Sequence, residues 1–111
     1  MKTIAVKVLS EQSNHAIVQL PARQFPGSVI QGDSLAILCA EAKAISQGLL
    51  QCGCADPELL GLAQEHQENL LERLLHFQQI LSDNGVPLPY TTAAKPSDLV
   101  ALLQDGDDHA L

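Results

Sequence analysis

Glu65, His66, Glu68, Glu72 and His76 fall within one leucine-rich stretch of twelve residues, and carboxylates and imidazoles so placed are what a metal site or a general acid–base pair would use. On a helix Glu68, Glu72 and His76 share one row at i, i+4 spacing. The Glu-x-x-His unit of carboxylate-bridged di-metal bundles is nevertheless missing, and no other helix supplies partner ligands. The row therefore reads as a solvated polar face, and Glu65, Glu68, Glu72 and His76 as the helix face a partner would meet. Cys52 and Cys54 form a Cys-Gly-Cys pair, half of a metal site at most, since zinc needs two further ligands and usually a Cys-x-x-Cys spacing. Cys39 lies on an apolar helix stripe rather than at a helix N-terminus, where a thiol pKa would fall. The serines lack a G-x-S-x-G elbow, and the glycines form neither G-x-G-x-x-G nor a P-loop. Asp33 follows a strand, as magnesium-binding carboxylates of nucleases do, but it has no companion acid there and reads as a helix cap. His15 falls at a hairpin turn and His109 in the C-terminal tail, each without a base or nucleophile beside it. The expectation is a chain with no catalytic residues, no metal and no cofactor.

The whole-chain balance points the same way. With 111 residues, a formal charge of −7 and a pI near 4.7, the chain lacks the clustered cations that displace counterions from nucleic acid, and a basic protein is the better-matched partner. Only 3% of residues are aromatic, so the core has to be aliphatic. The start Met1-Lys2-Thr3-Ile4 is no signal peptide, no segment is apolar for the roughly 20 residues a membrane span needs, and three cysteines cannot all pair. These features predict a cytoplasmic protein with free thiols.

The elements that must position these residues follow from spacing. Thr3–Leu9 alternates as a strand, Ser10–Asn14 is a polar turn, and Ala16–Leu20 returns antiparallel. Pro26 and Gly27 predict a type II turn with positive φ at Gly27, followed by a third strand at Ser28–Gln31. Gly32 breaks that strand, and Asp33 or Ser34 caps a first helix whose stripe is Leu35, Leu38, Ala42, Ile45 and Leu49, facing the sheet. Gly48 marks either the end of that helix or a close approach to the sheet. Asp56 as cap and Pro57 at the first position open a second helix that runs to Asp83 and stops at Asn84-Gly85. Its apolar face is wider than one stripe, enough for the first helix and for a second copy of the chain or another protein. Val86–Tyr90 reads as an extended surface segment, and Ser97-Asp98 as the cap of a short helix, Leu99–Gln104, before a mobile acidic tail. The fold class is thus α+β: a three-stranded antiparallel sheet, then a two-helix hairpin packed on one face, an extended segment and a short helix. One domain covers residues 1–95, with the short helix and tail at 96–111.

The succession Leu20-Pro21, Phe25-Pro26-Gly27, Ile30-Gln31-Gly32-Asp33-Ser34-Leu35, an Ala-rich helix and Gly85-Val86-Pro87-Leu88-Pro89 resembles the N-terminal domain of HicB-type antitoxins and also a set of short bacterial proteins of unknown function. The antitoxin resemblance implies a partial ribonuclease H-like fold that has lost its catalytic acids and covers a small basic ribonuclease, often as a homo-oligomer. The helical region is lengthened relative to that family by the second helix, Pro57–Asp83, and the chain after Tyr90 is too short for a helix-turn-helix or ribbon-helix-helix domain, so direct contact with nucleic acid is not expected. The leading expectation is a protein-binding module of antitoxin or immunity type. The alternatives are a small metal- or ligand-binding accessory protein using Cys52, Cys54 and His66 or His76, and a homodimeric structural protein.

Overall fold

The computed structural model describes residues 1–103 as β1 (Lys7–Ser10), β2 (Ile17–Gln19), β3 (Gly27–Ser28), α1 (Gly32–Gln51), α2 (Pro57–Asp83) and a 3-10 turn, Pro96–Asp98. The α+β class holds, with an antiparallel sheet in the order β1-β2-β3 followed by two helices. The strands are shorter than their alternation suggests. Residues 3–6 are not strand, and the β1–β2 register pairs Val8 with Val18 but Ser10 with Ile17, leaving Leu9 as an extra residue.

The third strand begins at Gly27 rather than Ser28, and Gly27 does not take a positive φ. The chain reverses earlier, at Leu20–Arg23, where the Arg23 N–H reaches the Leu20 carbonyl at 3.1 Å. The Gln19 carboxamide then ties down the corner, donating to the carbonyls of Arg23 and Gln24. A side chain two residues before Pro21 thus does the work expected of the Pro26-Gly27 pair.

The start of α1 departs in the same manner. Gln31 occupies the cap position without a side-chain bond, so neither Asp33 nor Ser34 is the cap. Asp33 sits inside the first turn, its carboxylate accepting the Ser34 N–H at 2.8 Å, where its charge still favours the helix dipole. Gly32 is required for space: a β-carbon there would collide with the ring of Phe77. Gly48 meets open space and neither ends α1 nor approaches the sheet, and the helix continues to Gln51. At α2 the local chemistry prevails. Asp56 accepts the Glu58 N–H at 3.0 Å, Pro57 opens the helix, and Gly85 takes φ +67° just beyond Asn84.

The two helices pack on each other along their lengths, while packing between helices and sheet is slight. Leu35, Ala42 and Ser46 of α1 are buried, with Cys39 and Leu49 half-buried, so the seam runs 35, 39, 42, 46, 49 in alternating steps of four and three. This corrects the expected stripe: Leu38 and Ile45 face outward, and α1 lies against α2 rather than over the sheet. Leu74 of α2 is 2% exposed, and Leu102, far along the chain, completes the core at 5%. Ser46 Oγ is wholly buried without a hydrogen-bond partner, at a cost of about 1–3 kcal/mol.

The C-terminal helix expected at Leu99–Gln104 is replaced by the 3-10 turn three residues earlier, after which residues 99–103 carry no regular structure. Asp98 closes that turn by accepting the Lys95 N–H at 2.8 Å. Gln104 and the acidic stretch from Asp105 to Asp108, expected to be mobile, lie outside the described residues. No helix among those described is long and apolar enough to cross a membrane.

Candidate functional site

The segment following α2 returns along that helix and is held by glutamine side chains. Gln78 accepts the Ala94 N–H at 2.8 Å, donates to the Ala94 carbonyl at 3.0 Å, and accepts the Tyr90 hydroxyl at 2.9 Å. Gln67, only 4% exposed, holds Val100 in the same two-pronged way: its Oε1 accepts the Val100 N–H at 3.0 Å and its Nε2 donates to the Val100 carbonyl. Gln64 accepts the Leu102 N–H at 2.8 Å. A carboxamide offers an oxygen that can accept two bonds and a nitrogen with two donors, so it can satisfy an extended backbone as a neighbouring strand would. These bonds use the surplus width of the apolar face of α2, where Leu71 and Leu74 lie between the glutamines.

Between α1, α2 and this returning segment is a half-open cavity of about 220 Å³. Ala36, Cys39 and Ala40 form its α1 wall, and Tyr90, Ala93 and Leu99 part of the opposite one. Lys43 and Asp98 also line it, joined at 3.4 Å between Nζ and Oδ1 with about a third of each side chain or more in solvent. Burial pushes the Cys39 thiol up from its ordinary value. Burial, and then the neighbouring Cys39, push Tyr90 up as well. Both groups thus hold their protons, the reverse of an activated nucleophile. The backbone N–H of Lys95 chiefly holds Asp98 below the usual carboxylate range, opposed by burial and assisted by Lys43. The cavity therefore offers apolar walls, one neutral thiol, one neutral phenol and a closed ion pair.

The residues singled out by sequence lie elsewhere. Glu65, Glu68, Glu72 and His76 are all exposed on α2, away from the seam. Glu68 Oε2 accepts from Gln64 Nε2 at 3.0 Å, and Glu72 and His76 line an open hollow with Asn69 and Arg73. Cys52 terminates α1, its Sγ donating to the Leu49 carbonyl at 3.4 Å, and Cys54 lies two residues further on, both as free thiols. Among the described residues no group of three or more histidines, cysteines or acids could hold a metal ion. Of Pro26, Gly27, Gly32, Asp33 and Ser34, Pro26 precedes β3, Gly27 opens it, Gly32 lies against the ring of Phe77, and Asp33 accepts the Ser34 N–H in the first turn of α1. Sequence reasoning missed Gln64, Gln67 and Gln78. Their signal is positional, because Gln67 keeps seam register with Leu60 and Leu74, where a leucine would be ordinary.

The charges divide unevenly along the chain. Residues 1–31 hold Lys2, Lys7 and Arg23 against Glu11 alone, a net +2, whereas residues 32–111 hold three cations against twelve acids, a net −9. The model of a family of unknown function (DUF6959) matches residues 1–90. That span takes in the three strands, both helices and the approach to Tyr90. Comparison with curated proteins and with solved structures finds no match to the chain.

Proposed function

We propose, from the premise that the chain belongs to this family of unknown function, that it is a non-enzymatic protein-binding module whose acidic helical surface receives a basic partner protein. The observation that carries this reading is the division of charge, with a net −6 over residues 32–83, which hold both helices, and Glu65, Glu68 and Glu72 exposed together on α2. A surface of one sign steers an oppositely charged partner and fixes its orientation more than it adds raw affinity. Such a surface suits the antitoxin or immunity role that the resemblance to HicB-type proteins implies, in which a small basic enzyme is covered.

The test is capture of a basic protein from a lysate of the source organism by the purified chain, in parallel with the Glu65→Lys, Glu72→Lys double variant. Glu68 is left intact because it bonds Gln64. The reading expects one small basic protein, retained at low salt, released as salt rises, and lost in the double variant. Retention of the same protein by the double variant refutes it. A second reading, a small-ligand accessory protein, draws on the 220 Å³ cavity beside Cys39 and Tyr90. A ligand-induced rise in melting temperature that Ala40→Leu abolishes would favour it instead.

A further inference from the structure

One chain carries two uncovered apolar surfaces. The first is the strand layer, where Val8 and the bulged Leu9 of β1 are exposed together with Ile4 and Val6 just before that strand and Leu20 just after β2. The second is the outward face of α1, where Ile37 and Ile45 are 59% and 60% exposed, opposite the seam with α2. Their charges complement each other. Lys2 and Arg23 accompany the strands, with Lys7 on the face of β1 opposite Val8, and Glu41 lies between Ile37 and Ile45 on the helix. Lys43, the cation of α1, is already paired with Asp98.

The chain exposes more surface than a folded monomer of its mass normally does. The chain exposes 8269 Å², against about 5,950 Å² for a folded monomer of its 11.9 kDa. Granting the eight residues outside the described part the roughly 1,200 Å² an extended chain can expose leaves an excess of about 1,100 Å². A standard protein–protein interface takes about 800 Å² from each partner. We infer that the strand layer of each chain packs on the outward face of α1 of a second copy, in a reciprocal two-fold dimer. The two-fold arrangement covers both surfaces of both chains at once and closes, whereas a one-way contact would leave one surface free to continue. It uses the sheet and α1, leaves the acidic face of α2 open, and does not rest on the proposed partner.

The test is molar mass by size-exclusion chromatography with light scattering over a wide range of concentration, on the full chain and four variants. Twice the chain mass is expected for the wild type. Ile45→Asp and Val8→Asp should each give monomer, and both positions are exposed in the protomer, so folding is spared. Glu41→Lys should raise the dissociation constant about fivefold, whereas Lys7→Glu, on the face of β1 opposite Val8, should leave it unchanged. A wild-type chain that stays monomeric throughout overturns the inference. So does a dimer abolished by Val8→Asp but not by Ile45→Asp, which would mean that two β1 edges pair with each other. A dimer that neither substitution disturbs overturns it equally.

Discussion

The strand layer and the helical pair are made from similarly apolar sequence, yet they solve burial in opposite ways. Residues 32–103 supply every buried hydrophobic side chain among the described residues, Leu35, Ala42, Leu74 and Leu102, drawn from α1, α2 and the returning segment. Residues 1–31 contain no residue that is buried, although Ile17, Val18 and Gln19 are half-covered within the hairpin. The difference is one of packing partner. A helix seam with steps of three and four finds its complement in a neighbouring helix, while a sheet of two- to four-residue strands needs a second layer, which the protomer does not bring to it. Secondary structure can thus be correct in kind while the layer it belongs to stays uncovered within the chain.

The largest expected effect lies in the helical unit. Leu74→Ala should lower unfolding free energy by about 2–5 kcal/mol in chemical denaturation, because the seam closes on that side chain from both helices. Val8→Ala should change protomer stability by no more than about 0.5 kcal/mol under dilute conditions. Equal losses at the two positions would break the contrast. Gln67→Leu comes next. It removes both bonds to Val100 and leaves that backbone without its partners, for a loss of about 2–3 kcal/mol and faster hydrogen exchange at Val100 and Leu102. Ser46→Ala runs the other way: with its hydroxyl buried and unpartnered, the alanine should gain about 1 kcal/mol in the same denaturation experiment.

Asp98→Asn is the smallest and is defined by pH. The folded-state pKa of Asp98 lies below its unfolded value, so its contribution is present above that unfolded value, about 3.9, and is lost as pH falls through the folded one. With a third of the side chain in solvent the effect stays under about 1 kcal/mol. Melting curves of wild type and variant should therefore differ at neutral pH, begin to approach each other below about pH 4, and converge only once pH has fallen through the lower folded-state pKa.

What could be read from the sequence was what local chemistry settles. The limits of α2 were legible because Asp56, Pro57 and Gly85 act through their own backbone neighbours. The phase of α1 was not, because its seam contains Cys39 and Ser46, which hydropathy counts for less than the outward Leu38 and Ile45. The turn before β3 was misplaced because Gln19, a strand residue, supplies the bonds that hold it. Gln67 and Gln64 act across 33 and 38 residues on backbone groups, which leave no trace in side-chain pattern. The acidic face could be read by residue but not by purpose, since exposure alone does not name what meets it.

Amide hydrogen exchange followed as a function of protein concentration tests the uneven division most directly. Amides at Leu71–Leu74 in α2 should stay protected at every concentration, while those of Ile17–Gln19 should exchange rapidly in dilute solution and slow as the chain associates. Strand amides equally protected at all concentrations would contradict the account, because the strand layer would then be stable within a single chain.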